Sequence, residues 1–362
     1  MEQQHPLFIR NHTEHKFITV GEIMLRLTAP NYEKIRTASS FEASYGGSEA
    51  NIALALANLG VDSTFFTVVP DNSLGKSAVR MLRSNDVHCT PVILSTPEQT
   101  PTHRLGSYYL ETGYGIRSSK VIYDRKHSAI SEFDFRTVDL EALLKDYTWL
   151  HLSGITPALS NNCRKLIMDC LKMAKKQNLI VSFDGNFRSS LWNWGQARDF
   201  CTECLPYVDV LFGIEPYHLW KDERDHSKGD CKDTIPLQPS YEQQHEIFSI
   251  FAKRYPNLKY IARHVRYAHS GSENSLKAFL WYDNQTFESK LFTFYILDRV
   301  GGGDAFASGF IYALMHQYEP ADMLNFAVAS SAIKHTIRGD ANLTDDAGTI
   351  RNLMNKNYDI KR

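Results

Sequence analysis

From residue 138 onward, apolar positions switch repeatedly between short continuous runs and stretches with a helical repeat. The pattern predicts helix Val138–Lys145, strand Trp149–Leu152, helix Asn162–Lys175, strand Leu179–Phe183, helix Gln196–Leu205 and strand Val208–Phe212. Helix Tyr241–Arg254 and strand Lys259–Arg263 continue the alternation, and Ser275–Trp281 with Phe287–Phe292 form a hairpin around Asp283-Asn284. Phe306, Gly309, Phe310, Ala313 and Leu314 recur at i, i+3, i+4, i+7 and i+8, the stripe of a helix buried along one face. A second long helix, Ala321–Ile337, ends at Gly339-Asp340, and Asp346–Asn355 closes the chain. Strand–helix alternation at this spacing argues for an α/β fold, a doubly wound and mostly parallel sheet with helices on both faces.

The N-terminal part is less regular. Phe17–Val20 reads as a buried strand that stays extended to Leu27, and Phe41–Tyr45 alternates as a half-exposed strand. A helix with apolar Ile52, Ala55, Leu56 and Leu59 stops at Gly60. Strand Thr64–Val69 and helix Leu74–Ser84 follow. Between Pro91 and Arg125 only extended stretches appear, with strands Leu105–Leu110 and Val121–Tyr123. These are expected to join residues 23–45 in a small β-sheet lid, covering residues 23–45 and 99–126. Residues 1–22, 46–98 and 127–362 form the α/β core. Lys221–Asp233 is charged, without an apolar period, and is expected as a surface loop.

Composition narrows the choice by exclusion. The 362 residues are 43% apolar and 22% charged, ordinary for a globular protein, and 40 basic residues against 41 acidic ones give a net charge of −1. Nothing in that balance favours nucleic acid or an anionic membrane. No apolar run reaches the ~18 residues that cross a bilayer. The first sixteen residues are polar and His-rich with no apolar core of a secretory signal, so a cytoplasmic location is expected. Six cysteines do not make a disulfide scaffold at this length. Cys201 and Cys204, and Cys163 and Cys170, fall on apolar helical stripes, so core packing explains them better than zinc does.

Chemistry concentrates at two glycine-rich turns. Gly301-Gly302-Gly303-Asp304 opens a helix, where bare backbone and unpaired N–H groups suit a phosphate and a carboxylate can take a proton from an attacking hydroxyl. Gly46-Gly47 opens another, and Asn51 offers an amide to a polar ligand. Each stretch alone also reads as a tight turn with a helix cap. Asp184, Asn186 and Arg188 stand beyond a strand end, the ligand side of such sheets, where an arginine can clamp a carboxylate or phosphate, although a loop arginine alone also reads as a solvated charge.

The two glycine signatures together resemble those of ribokinase-like (pfkB) sugar kinases, from about Thr19 to Asp340. Leu150–Leu159, Tyr123–Ala129 and Asp298–Phe306 are similar to 2-keto-3-deoxygluconate kinases in particular. The resemblance implies ATP- and Mg2+-dependent phosphorylation of a sugar acid, with Asp304 as general base and Gly301, Gly302 and Gly303 as anion hole. It implies substrate contacts from Gly46, Gly47, Asn51, Tyr109, Tyr123, Arg125 and Arg188, and nucleotide contacts from Asn186 and Arg263. Glu215 is the one remaining candidate for the magnesium network, since Ile214-Glu215-Pro216-Tyr217 departs from the family's Asn-x-x-Glu. The resemblance also leaves room for a monovalent cation such as K+ near Asp298. Arg299 and Gly302 stand where a small hydroxyl residue and alanine are usual. The lid edges are expected to pair two copies as a homodimer. A fructokinase- or ribokinase-type enzyme of a neutral sugar and a catalytically silent sugar sensor on the same fold remain alternatives. A dinucleotide-dependent oxidoreductase is disfavoured, because the glycines lack the G-x-G-x-x-G spacing.

Overall fold

The computed structural model describes residues 15–215, 217, 236–344 and 346–356. The charged stretch Lys221–Asp233 and Cys231 lie outside them. Strand Lys16–Val20 runs parallel to Asp62–Phe66 on one side and to Trp149–Ser153 on the other. Ile180–Asp184, Val210–Phe212 and Tyr260–Ala268 extend the parallel run, each hydrogen-bonded to the strand before it. Glu273–Tyr282 then adds antiparallel, and both Gln285–Glu288 and Phe292–Tyr295 pair with it. The result is a sheet of nine strands among the described residues. Its central strands are covered on both faces, which is why Trp149–Ser153 is buried throughout and reads as a continuous run.

The helices form where the sequence period places them. Asn161–Lys176 buries Cys163, Leu166, Ile167, Cys170, Leu171 and Ala174, and Ser160 caps it by accepting from the Cys163 N–H at 3.1 Å. The five described cysteines are buried and unbridged. Helix Gly302–Met315 departs from the one-stripe expectation, since every residue from Asp304 to Met315 is buried. It packs between Pro320–Lys334 and Ser48–Asn58, and Gly309 permits the approach, because a Cβ there would lie 2.7 Å from Ser330 Cβ.

A separate four-stranded sheet has the order Glu42–Gly46, Met24–Thr28, Ser107–Glu111, Lys120–Asp124. Three expected elements come out differently. The run 64–69 breaks at buried Thr67 into Asp62–Phe66 and Val68–Pro70, because the Thr67 carbonyl accepts from Ile93 N–H and Val68–Pro70 pairs with Ile93–Ser95. The run 287–292 breaks at Ser289, whose Oγ replaces the backbone in accepting the Ala278 N–H at 2.9 Å. The last long helix ends at Lys334, three residues early, as the next amides bond at i−3 spacing. Among the described residues no helix is long and apolar enough to cross a membrane.

Candidate active site

Helix Gly302–Met315 begins with its first amides uncapped. Helices at Ser73, Asn161, Trp194, Tyr241 and Ala347 each have a side-chain cap; this one and Ser48–Asn58, both aimed at the same pocket, have none, and neither does Pro320–Lys334, where a proline stands in the first turn. Their N-caps are Gly301 and Gly47, so free N–H groups and two dipole ends converge there. Gly301 has φ +82°, and a Cβ on it would sit 1.7 Å from the Asp340 carbonyl oxygen. No L-residue fits. A Cβ on Gly47 would lie 1.9 Å from the Glu22 oxygen, and one on Gly46 2.2 Å from Asp340 Oδ2. The buried His335 ring occupies the space beside Gly302, 2.4 Å from an added Cβ.

Asp304 lies in the first turn, 8% exposed. Its Oδ1 accepts from Ser48 Oγ and its Oδ2 from Asn51 Nδ2, both at 2.7 Å. Asn186 Nδ2 in turn donates to Ser48 Oγ at 2.8 Å. Burial raises the Asp304 carboxyl above its ordinary range, against the pull of those two donors. The carboxylate is thus oriented on both oxygens and more basic than usual, as a proton acceptor needs to be. The sequence marks Ser48 only by its place after Gly46-Gly47.

Two more carboxyls, the buried Glu49 and the half-buried Asp184, share this neighbourhood. Glu49 Oε1 accepts from Ser153 Oγ at 2.7 Å and Thr156 Oγ1 at 2.8 Å, and burial pushes its carboxyl up to about 7. Burial, with the Asp304 charge beside it, likewise raises Asp184 to about 7.

The smaller sheet closes the other side of the pocket. Tyr108, Tyr123 and Arg125 line it with Arg188, Gly47, Ser48, Asn51, Gly301 and Asp304. Tyr109 does not: strand alternation turns it to the opposite face, against Phe41 at 5.7 Å between ring centroids. Tyr108 takes the inward position and hydrogen-bonds Asp340 Oδ2. Arg125 lines the pocket with its charge already matched, as Nε donates to Glu22 Oε2 at 2.7 Å. Arg26 joins Asp298 and Asp340 in a buried ion-paired group that the sequence reading missed, because its members lie 272 and 314 positions apart. Arg188 differs from these arginines. Its Nη1 donates to the Phe187 carbonyl at 3.1 Å, no described carboxylate pairs with it, and its positive charge acts on Asp304 and Asp184.

On the nucleotide side the expectation for Arg263 is corrected. Its guanidinium donates to Gln244 Oε1 at 2.9 Å, Glu215 Oε1 at 2.9 Å and the Pro236 carbonyl at 2.8 Å, on the face away from the glycine turn. The next residue along the strand, His264, faces the turn, with its ring 5.1 Å from that of Phe306. Arg266 shares that face, and enclosure together with the nearby charges of Arg299 and Arg188 makes its proton easier to lose. Asn186 sits beside Ser48, whose hydroxyl holds Asp304.

Glu215 is paired with Arg263, and among the described residues no group of three His, Cys, Asp or Glu side chains is placed to hold a metal ion. A monovalent cation at Asp298 does not fit these residues either. The Asp298 carboxylate is shared by Arg26 and the Val300 and Gly339 N–H groups, and its carbonyl accepts from Lys334 Nζ at 3.3 Å.

Residues 14–216 and 278–347 match the pfkB family of carbohydrate kinases. Over 327 residues the chain is 30% identical to the 2-dehydro-3-deoxygalactonokinase of Haloferax volcanii, spanning 90% of this chain and 92% of that one. It is 26% identical to the 2-dehydro-3-deoxygluconokinase of Thermoproteus tenax, over 89% of each. The crystal structure of the 2-dehydro-3-deoxygluconokinase of Thermotoga maritima superposes with a TM-score of 0.85 at 34% identity, covering 94% of this chain and all of that one. The uncapped glycine turns, the oriented Asp304 and these likenesses agree: the chain belongs to the pfkB family of carbohydrate kinases.

Proposed function

We propose that this carbohydrate kinase acts on a sugar acid, transferring the γ-phosphoryl group of ATP to a hydroxyl of 2-keto-3-deoxygluconate or its C4 epimer. The observation that carries the reading is Arg188, a guanidinium without a carboxylate partner among the described residues, opening into the Asp304 pocket. A neutral sugar leaves that charge unmatched, whereas a sugar-acid carboxylate completes it bidentately. The named relatives act on such acids.

In the reaction, the hydroxyl oxygen attacks phosphorus as its proton passes to an Asp304 oxygen, and the bond from phosphorus to the β,γ-bridging oxygen breaks. The Gly302 and Gly303 amides meet charge on the transferred group. Arg266 and Arg299 replace Arg263 as the residues offered to the polyphosphate. Glu215, tied to Arg263, offers no preformed site for Mg2+, which would supply charge neutralisation of the phosphates when bound with ATP. Tyr108 and Tyr123 hold the substrate from the lid. The lid's outer strands, Glu42–Gly46 and Lys120–Asp124, with exposed Ile116 and Ile122 nearby, pair two chains into a dimer that light scattering would report as twice the chain mass.

A coupled ADP-release assay across 2-keto-3-deoxygluconate, 2-keto-3-deoxygalactonate, fructose and ribose tests the substrate class. The acids are expected to give the highest kcat/KM. A preference for fructose or ribose would assign the enzyme to neutral sugars, and no turnover on any of them would leave a sugar sensor.

A further inference from the structure

We infer that the ammonium of Lys334 is a built-in monovalent cation for the loops beside the anion hole, so that this enzyme works without bound potassium or sodium. The inference rests on the kinase reading for its functional side and on geometry for the rest. Lys334 is fully buried, which is rare for a lysine without a close ion pair. Among the described residues its Nζ touches no carboxylate. It donates instead to two backbone carbonyls, Asp298 and Ile337, each at 3.3 Å. A positive charge held by main-chain carbonyls is the arrangement in which proteins bind potassium.

Lys334 belongs to a buried charged group: Arg26 pairs with Asp298 and Asp340, and the Lys334 charge acts on the same two carboxylates. An added cation would meet two resident positive charges there. The two carbonyls belong to the loops that build the anion hole. The Asp298 loop bonds to His335 through the Leu297 and Asp298 N–H groups at 2.7 and 3.1 Å, and three residues after Asp298, Gly301 packs against the Asp340 carbonyl. Lys334 is therefore a positioning residue: it ties these loops together and never meets the substrate.

The test compares wild type and Lys334→Ala in buffers of equal ionic strength made with KCl, NaCl or tetramethylammonium chloride, reading kcat, KM and the thermal midpoint. Wild type is expected to show the same kcat and the same midpoint in all three. Lys334→Ala should lose on the order of 10²-fold in kcat, with KM less affected, as for a site misplaced by about 1 Å. It should regain activity and thermal midpoint in KCl, since a small cation can refill the space. Saturable activation of wild type by K+, or a potassium-dependent rise in its midpoint, would overturn the inference, and so would full activity of Lys334→Ala in tetramethylammonium. The midpoint readings stand even if no tested sugar is phosphorylated, so failure of the kinase reading and failure of this inference give different results.

Discussion

Replacing Asp304 with Asn removes one proton acceptor and almost nothing else. The amide is nearly isosteric, and its oxygen can still accept from Ser48 Oγ or Asn51 Nδ2, leaving one donor facing another. Against that lost bond, about 1 kcal/mol, stands relief from burying a carboxylate whose affinity for its proton is raised by desolvation. The fold should therefore be little changed. Turnover should not. A positioned base contributes about 10²–10⁴ in rate, which corresponds to about 3–5 kcal/mol of barrier. Coupled-assay kcat is expected to fall by that factor, while calorimetric titration finds ATP binding unchanged, because Asp304 faces the sugar side. In wild type, the acid limb of the kcat/KM profile should lie above the ordinary carboxylate range, since the raised group must be ionised to accept a proton. A variant that keeps wild-type kcat would refute Asp304 as the base, and a loss confined to ATP affinity would make it a phosphate-site residue instead.

Arg188→Ala should raise KM for the sugar acid roughly 10–150-fold, the loss of a charge-assisted contact of about 1.5–3 kcal/mol, and leave KM for fructose unchanged; equal effects on both would remove the carboxylate clamp. Gly301→Ala should abolish turnover, because φ +82° and a Cβ 1.7 Å from the Asp340 oxygen force the anion-hole turn to move; a crystal structure with the turn unmoved would contradict this. Glu49→Gln should flatten the pH dependence of stability. The folded pKa of about 7 exceeds the ordinary 4.5, so the stability tied to the bound proton is complete below about pH 4.5 and lost as pH rises through 7, at most about 3 kcal/mol. Thermal midpoints at pH 5 and pH 8 should thus differ less in Glu49→Gln than in wild type, and identical differences would place the titration elsewhere.

Much of this was open to reading in the chain itself. Helix stripes such as Cys163 to Ala174, the parallel strands and both glycine turns follow from local periodicity and backbone freedom, which depend on residues within a few positions of one another. What eluded sequence reasoning depended on strand register or on distant partners. Tyr108 and Tyr109 are adjacent tyrosines, and only pairing with the strand Lys120–Asp124 decides which faces the pocket. Arg263 and Arg266 pose the same problem, settled when Gln244 and Glu215 claim the first. No local pattern announces that Arg26 will meet Asp298 and Asp340, or that Lys334 will end between two carbonyls. The sequence by itself determined the layers of the fold and the two places where bare backbone opens a helix, because those obey short-range rules. The tertiary structure alone decided which charges are matched and which stay open to a substrate, because that is settled by groups hundreds of residues apart competing for the same buried space.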